Sequence, residues 1–148
     1  MEYRKAAASE IETLTELRKR QLADEGVEPS VEIDRELRGF FQDKLGDGSL
    51  VEWVAVEEGE IVATAGIMFY DFPPSYTNQS GRCGYVTNMY TRSEFRGRGI
   101  ATKLLGRLMD EAQDRGVSKL MLGASSMGRP VYEKFGFQRE DSWMIMRI

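Results

Sequence analysis

Arg96-Gly97-Arg98-Gly99-Ile100-Ala101 stands where an apolar, β-branched run ends and the most regular amphipathic stretch of the chain begins. Upstream, Tyr85–Thr91 reads as a strand; downstream, Ile100, Leu104, Leu105, Leu108, Met109 and Ala112 recur at helical spacing. Two glycines at a strand-to-helix junction permit left-handed backbone and close approach by a ligand. The first amides of a helix lack intrahelical partners and lie at the positive end of its dipole, so the stretch has the makings of an anion cradle. The order excludes a P-loop, whose Gly-x-x-x-x-Gly-Lys-Ser/Thr pattern is missing. It also excludes a dinucleotide fingerprint, because Thr102 occupies the third small-residue position. A turn that serves packing alone, or a single Arg-Gly copy for RNA, remains open at this point.

Working outward, Glu10–Ala23 is expected to be a helix capped by Ser9 with Glu12 completing a capping box, and Val31–Leu45 a second helix capped by Ser30. Leu50–Val56 and Ile61–Tyr70 read as strands joined at Glu57–Glu60, and Asp71–Arg82 as a loop. Lys119–Leu122 is a short strand. Ser125 or Ser126 caps a further helix with Pro130 in its first turn, and Trp143–Ile148 is expected to be a closing strand. Strand, helix and strand around Arg96 imply a crossover between parallel strands, while the hairpin adds antiparallel ones. The predicted class is α/β, of the α+β kind: one domain over residues 1–148 with a mixed sheet carrying helices.

The 148 residues hold one cysteine, Cys83, and no histidine. No intrachain disulfide can form, no metal site is expected, and the Ser-His triads and most zinc chemistries are excluded. The net charge of −4 argues against a nucleic-acid partner. No apolar run approaches a membrane span and the first residues are too polar for a secretory leader, so a cytoplasmic protein is expected. Charge is unevenly spread. Arg82–Arg115 holds seven basic and four acidic residues, whereas Met1–Leu50 holds twelve acids and eight bases.

The segment Val86–Thr91 followed by Arg96, Gly99 and Ala101 resembles the Gln/Arg-x-x-Gly-x-Gly/Ala signature of the GNAT superfamily of N-acetyltransferases. Tyr132-Glu133-Lys134-Phe135-Gly136-Phe137 resembles that family's second signature, and the two lie in the same order and at a similar separation. The resemblance implies a mixed, mostly antiparallel sheet with a central parallel strand pair flanked by helices. It implies an enzyme that moves the acetyl group of acetyl-CoA, as cosubstrate, to a primary amine by direct attack in a ternary complex. The amides of Arg96, Gly97, Arg98, Gly99, Ile100 and Ala101 would take the pyrophosphate, and the backbone of Met89, Tyr90 and Thr91 the pantetheine arm. Tyr132 would contact the cofactor and act as general acid. Ser125 stands where the family often has a cofactor-side Asn.

The base is not legible. An alkyl amine is mostly ammonium at neutral pH and must lose a proton before it attacks. Glu94, Asp71 and Glu52 are candidate carboxylates. Asn88 is no base, but can orient a water or the substrate. The acidic N-terminal third suggests a cationic acceptor, and the apolar C-terminal segment is a candidate for pairing in a homodimer. The absence of an evident base leaves a non-catalytic acyl-CoA sensor as the alternative.

Overall fold

In the computed structural model, which describes residues 1–148, nine helices and strands make a five-stranded sheet with helices on both faces. β1 (Glu2–Lys5) leads through a short 3₁₀ turn into α1 (Ile11–Asp24) and α2 (Asp34–Asp47). β2 (Leu50–Glu57), β3 (Glu60–Asp71) and β4 (Arg82–Thr91) follow, then α3 (Ile100–Asp114), β5 (Leu120–Met121) and α4 (Arg129–Phe135). The strand order is β1-β2-β3-β4-β5; β1 to β4 pair antiparallel and β4 pairs parallel with β5. The expected mixed, mostly antiparallel sheet with one parallel pair is present, and that pair lies at the β5 end.

Strand alternation divides the core in two. Ala63, Ala65, Ile67 and Val86 meet the apolar stripe of α3, namely Ile100, Leu104, Leu105, Leu108 and Ala112. On the opposite face Leu50 and Val54 meet Leu14 and Leu17 of α1 and Phe41 of α2. The β2–β3 hairpin turns on Glu58 (φ 50°) and Gly59 (φ 79°), two residues in left-handed conformation as a tight twisted hairpin demands.

Three sequence expectations change. Ser9 does not cap α1; the Glu10 carboxylate, held by Arg4, accepts the Ala7 amide at 2.7 Å instead, one turn earlier. The second helix starts at Asp34 rather than after Ser30, because the Ser30 amide is tied back to the Glu28 carbonyl and the Glu32 carboxylate accepts the Asp34 amide. Trp143–Ile148 forms no strand. The strand at that end of the sheet, β5, is two residues long and offers little edge to pair with, so Met144, Ile145, Met146 and Ile148 stay exposed.

Candidate active site

β4 and β5 run together only through Gly84–Leu120 and Tyr85–Met121. Beyond Tyr85 they part, and the free edge of β4 faces a cavity of about 820 Å³ walled by β4, the start of α3, the β5–α4 segment and the last turns of α1. Of the twelve residues singled out in the sequence, the structure brings eleven to this cavity: Asn88, Met89, Tyr90, Thr91, Arg96, Gly97, Gly99, Ile100, Ala101, Ser125 and Tyr132. Arg98 alone lies outside its walls.

The glycine turn has the properties of a cradle. Gly97 and Gly99 have φ of 76° and 78°, and a Cβ on either would meet nothing within 4 Å. They are therefore required by backbone conformation rather than by packing, and the space above them is open. Gly99 is the N-cap of α3, with no side chain capping the helix and no acidic residue in its first turn. The leading amides thus point at the cavity without an internal partner. The arginines are otherwise engaged. Arg96 donates to Asp24 at 2.8 Å and to the Thr91 carbonyl at 2.9 Å, and lies over the Tyr90 ring. Arg98 donates to the Glu94 carbonyl at 3.1 Å and stacks on Phe95. What the turn leaves open to an anion is its backbone amides, while Arg96 fastens the end of α1 to the end of β4.

Tyr132 reaches the cavity from α4. Gly128 makes room for it, since a Cβ there would come within 2.8 Å of the ring. Phe137 packs edge-on at 6.1 Å. Burial, and secondarily the negative charge of Glu25, push the phenol up to about 12. It therefore stays protonated across the neutral range, as a proton donor must. Ser125 holds the turn before α4, its Oγ accepting the Gly128 amide at 3.1 Å.

Asn88 occupies a break in the β4 ladder. Thr64 pairs with Tyr90 and Gly66 with Thr87, so Asn88 and Met89 together oppose Ala65 alone. This is a β-bulge, a device that re-aims side chains beside functional sites. Asn88 takes φ 54°, a left-handed conformation that Asn tolerates better than most residues. Thr64 Oγ1 donates to its carbonyl at 2.7 Å, and its amide nitrogen donates to Glu52 Oε2 at 3.3 Å. Glu52 is 2% exposed. Burial pushes its carboxyl up to about 8, against the opposing pull of Asn88 and Arg18. The other two carboxylates of the sequence reading stand elsewhere. Asp71 is exposed at the far end of β3, outside the cavity walls, and Glu94 is exposed with its carboxyl held below the usual range by its own amide and by Ser93.

Sequence reasoning by motif missed the polar residues of α1. Arg18, Gln21 and Asp24 of α1, with Glu25 just beyond its end, also line the cavity, and Asp24 meets the cradle through Arg96. Their helical spacing puts them on one flank of α1, but nothing local says that flank meets a cleft rather than solvent. Glu25 accepts from Gln21 at 3.2 Å, and Asp24 is spent on Arg96.

Comparison with known proteins places this geometry. A family model described as the acetyltransferase (GNAT) family matches residues 11–137. A glucosamine 6-phosphate N-acetyltransferase of Arabidopsis thaliana is 27% identical over 128 residues, 84% of this chain and 80% of that one. A thialysine N-epsilon-acetyltransferase of Bos taurus is 29% identical over 97 residues; that match spans 55% of the bovine protein, and 59% of a trypanosomal glucosamine 6-phosphate N-acetyltransferase is spanned in the same way. Among solved structures, a predicted acetyltransferase of Clostridium acetobutylicum with acetyl-CoA is 53% identical at a TM-score of 0.96, covering 99% of this chain and 95% of that one. With both signatures in place, the strands parted over an uncapped helix start and the family match over most of its length, the chain belongs to the GNAT family of acetyltransferases.

Proposed function

We propose that this chain is an acetyl-CoA-dependent N-acetyltransferase, a single domain that passes the acetyl group to a primary amine by direct attack in a ternary complex. One observation carries the reading: β4 and β5 part directly beside an uncapped, glycine-led helix start, giving one cavity that joins an anion cradle to the polar end of α1.

Acetyl-CoA supplies an activated thioester, and the fit rests on three features of the chain. The amides of Gly97, Gly99, Ile100 and Ala101 suit a pyrophosphate. The edge of Met89–Thr91 that β5 leaves open, where Arg96 takes only the Thr91 carbonyl, offers backbone groups to an amide-bearing arm. Tyr132 holds a proton for the departing thiolate. Glu25, just beyond the end of α1, faces this cavity, which favours an acceptor with a cationic amine. The relatives' names carry two such acceptors, glucosamine 6-phosphate and thialysine.

Location and assembly follow from coarser properties. No helix is long and apolar enough to cross a membrane. The net charge of −4 and the single buried, unpaired cysteine support a cytoplasmic protein whose partners are neither nucleic acid nor membrane. The exposed apolar residues of 143–148 support a homodimer in which this segment is covered by a second copy.

Calorimetric titration with acetyl-CoA, followed by thiol release across a panel of amines, tests the reading. The expected result is binding, with thiol released for at least one primary amine. Binding without release from any amine would turn the assignment toward a sensor. Gly99→Glu, which sets charge and bulk against a left-handed backbone position, should weaken acetyl-CoA binding by at least about 100-fold. Unchanged affinity would refute the cradle.

A further inference from the structure

The face of the sheet that packs on α1 and α2 is apolar, with Leu50 and Val54 on β2 against Leu14, Leu17 and Phe41. Between Leu50 and Val54, on that same face, lies Glu52. A buried carboxyl in an apolar layer is costly unless something is gained from it. Three strands are shaped around this one. Its β3 neighbour is Gly66, where any Cβ would run into the Glu52 carboxylate. Its β4 partner is Asn88, whose side-chain nitrogen donates to Oε2. Thr64, two residues from Gly66, holds the Asn88 carbonyl. Glu52 itself does not line the cavity; Asn88 does, on the side towards the polar flank of α1.

The geometry points to Glu52 as a positioning residue for acyl transfer: held beneath the β4 bulge, it fixes the Asn88 side-chain amide that the cavity presents to the acceptor amine. This rests on the transferase reading above. With its nitrogen committed to Glu52, Asn88 keeps its carbonyl oxygen as an acceptor for an amine N–H. The amine must arrive in one orientation to attack, and orientation of this kind is a large part of catalysis. Glu52 Oε1 has no partner among the protein atoms, so the carboxyl is free to change protonation without breaking another contact. The charged group facing it is Arg18 from α1; the groups facing it from β3 and β4, namely Thr64, Gly66 and Asn88, do not titrate. Ionisation of Glu52 near pH 8 tightens its bond to Asn88 and adds negative charge under the acceptor side.

The test compares wild type with Glu52→Gln and Glu52→Leu, in the full chain, with acetyl-CoA and an amine that the wild type accepts. Glutamine still accepts from Asn88 but does not titrate; leucine does neither. Glu52→Leu should raise KM for the amine about tenfold, the loss of one orienting hydrogen bond, while acetyl-CoA affinity stays within about twofold. Glu52→Gln should keep KM near the wild-type value at pH 7, yet show a smaller fall in amine KM between pH 7 and 9 than the wild type. The titration of the amine itself is common to both proteins and cancels in the comparison. In the wild type the Asn88 side-chain amide resonances should shift through the same pH range, and in Glu52→Gln they should not. Wild-type amine KM and pH profile in both variants would overturn the role of Glu52 while leaving the transferase reading intact. Thiol release from no amine by the wild type would overturn the transferase reading, and the positioning role with it.

Discussion

At the residue scale, Glu52 and Tyr132 are both moved in the same direction by burial, with opposite consequences. The Tyr132 phenol, pushed up to about 12, keeps its proton across the neutral range, and in the proposed function it gives that proton to the departing thiolate. Tyr132→Phe should therefore lower kcat about 100-fold and leave acetyl-CoA affinity within about twofold, measured by thiol release and calorimetry. Wild-type turnover would return Tyr132 to a packing role against Phe137. For Glu52 the effect is on stability. Its carboxyl keeps a proton up to about pH 8 in the fold, whereas the unfolded chain releases it near 4.5. The folded state binds more protons between those values, so the contribution to stability is present below pH 4.5 and is lost as pH rises to about 8. At about 1.4 kcal/mol per pKa unit, the whole interval amounts to about 5 kcal/mol. Glu52→Gln should match the wild type near pH 4.5 and exceed it increasingly up to pH 8, reaching at least about 2 kcal/mol by denaturant unfolding at pH 9. A difference independent of pH would mean that the carboxyl is not buried as described.

Elements carry their own strain. The β2–β3 hairpin puts Glu58 at φ 50°, where a residue with a long side chain pays for a conformation that Asn or Gly adopts readily. Glu58→Asn should raise unfolding free energy by about 1 kcal/mol, with turnover unchanged because the turn lies outside the cavity walls. No gain in denaturant midpoint would count against the left-handed turn. The β4 bulge is the contrasting case. There the left-handed residue is Asn88, the ladder is broken beside the cavity, and two neighbouring strands supply groups that hold it. Strain in the hairpin is a cost of turning, while strain in β4 sets a polar side chain into the cavity.

For the whole molecule, the exposed apolar run at 143–148 sets the expectation for assembly. Sedimentation of the full chain at micromolar concentration should give a dimer, and a chain ending at Ser142 should give a monomer. A monomeric full chain would leave the segment without the proposed cover. The apolar stripe of α3 and the central strands were legible, because alternation and helical spacing are set by backbone geometry that every window of the chain shares; their division into two cores came from the fold. The Arg96–Ala101 and Tyr132–Phe137 stretches made part of the cavity wall legible for a related reason: a left-handed glycine turn at a helix start is a local requirement, written in consecutive residues. What depends on distant partners was not legible. Ser9 lost its capping role because Arg4 secures Glu10, Trp143–Ile148 failed as a strand because β5 is short, and Arg96 turned to Asp24, seventy-two residues away. The side proposed for the acceptor is the largest such case. Gln21 and Glu25 of α1, Glu52 of β2 and Asn88 of β4 come from three separate elements, and no short window of sequence contains them. By itself the sequence determined most element types, their apolar stripes and the glycine turn at the start of α3, all products of short-range pattern; the tertiary structure alone decided how those stripes divide into two cores and which polar side chains meet around the cavity, since burial and charge at a site are summed over everything the fold packs around it.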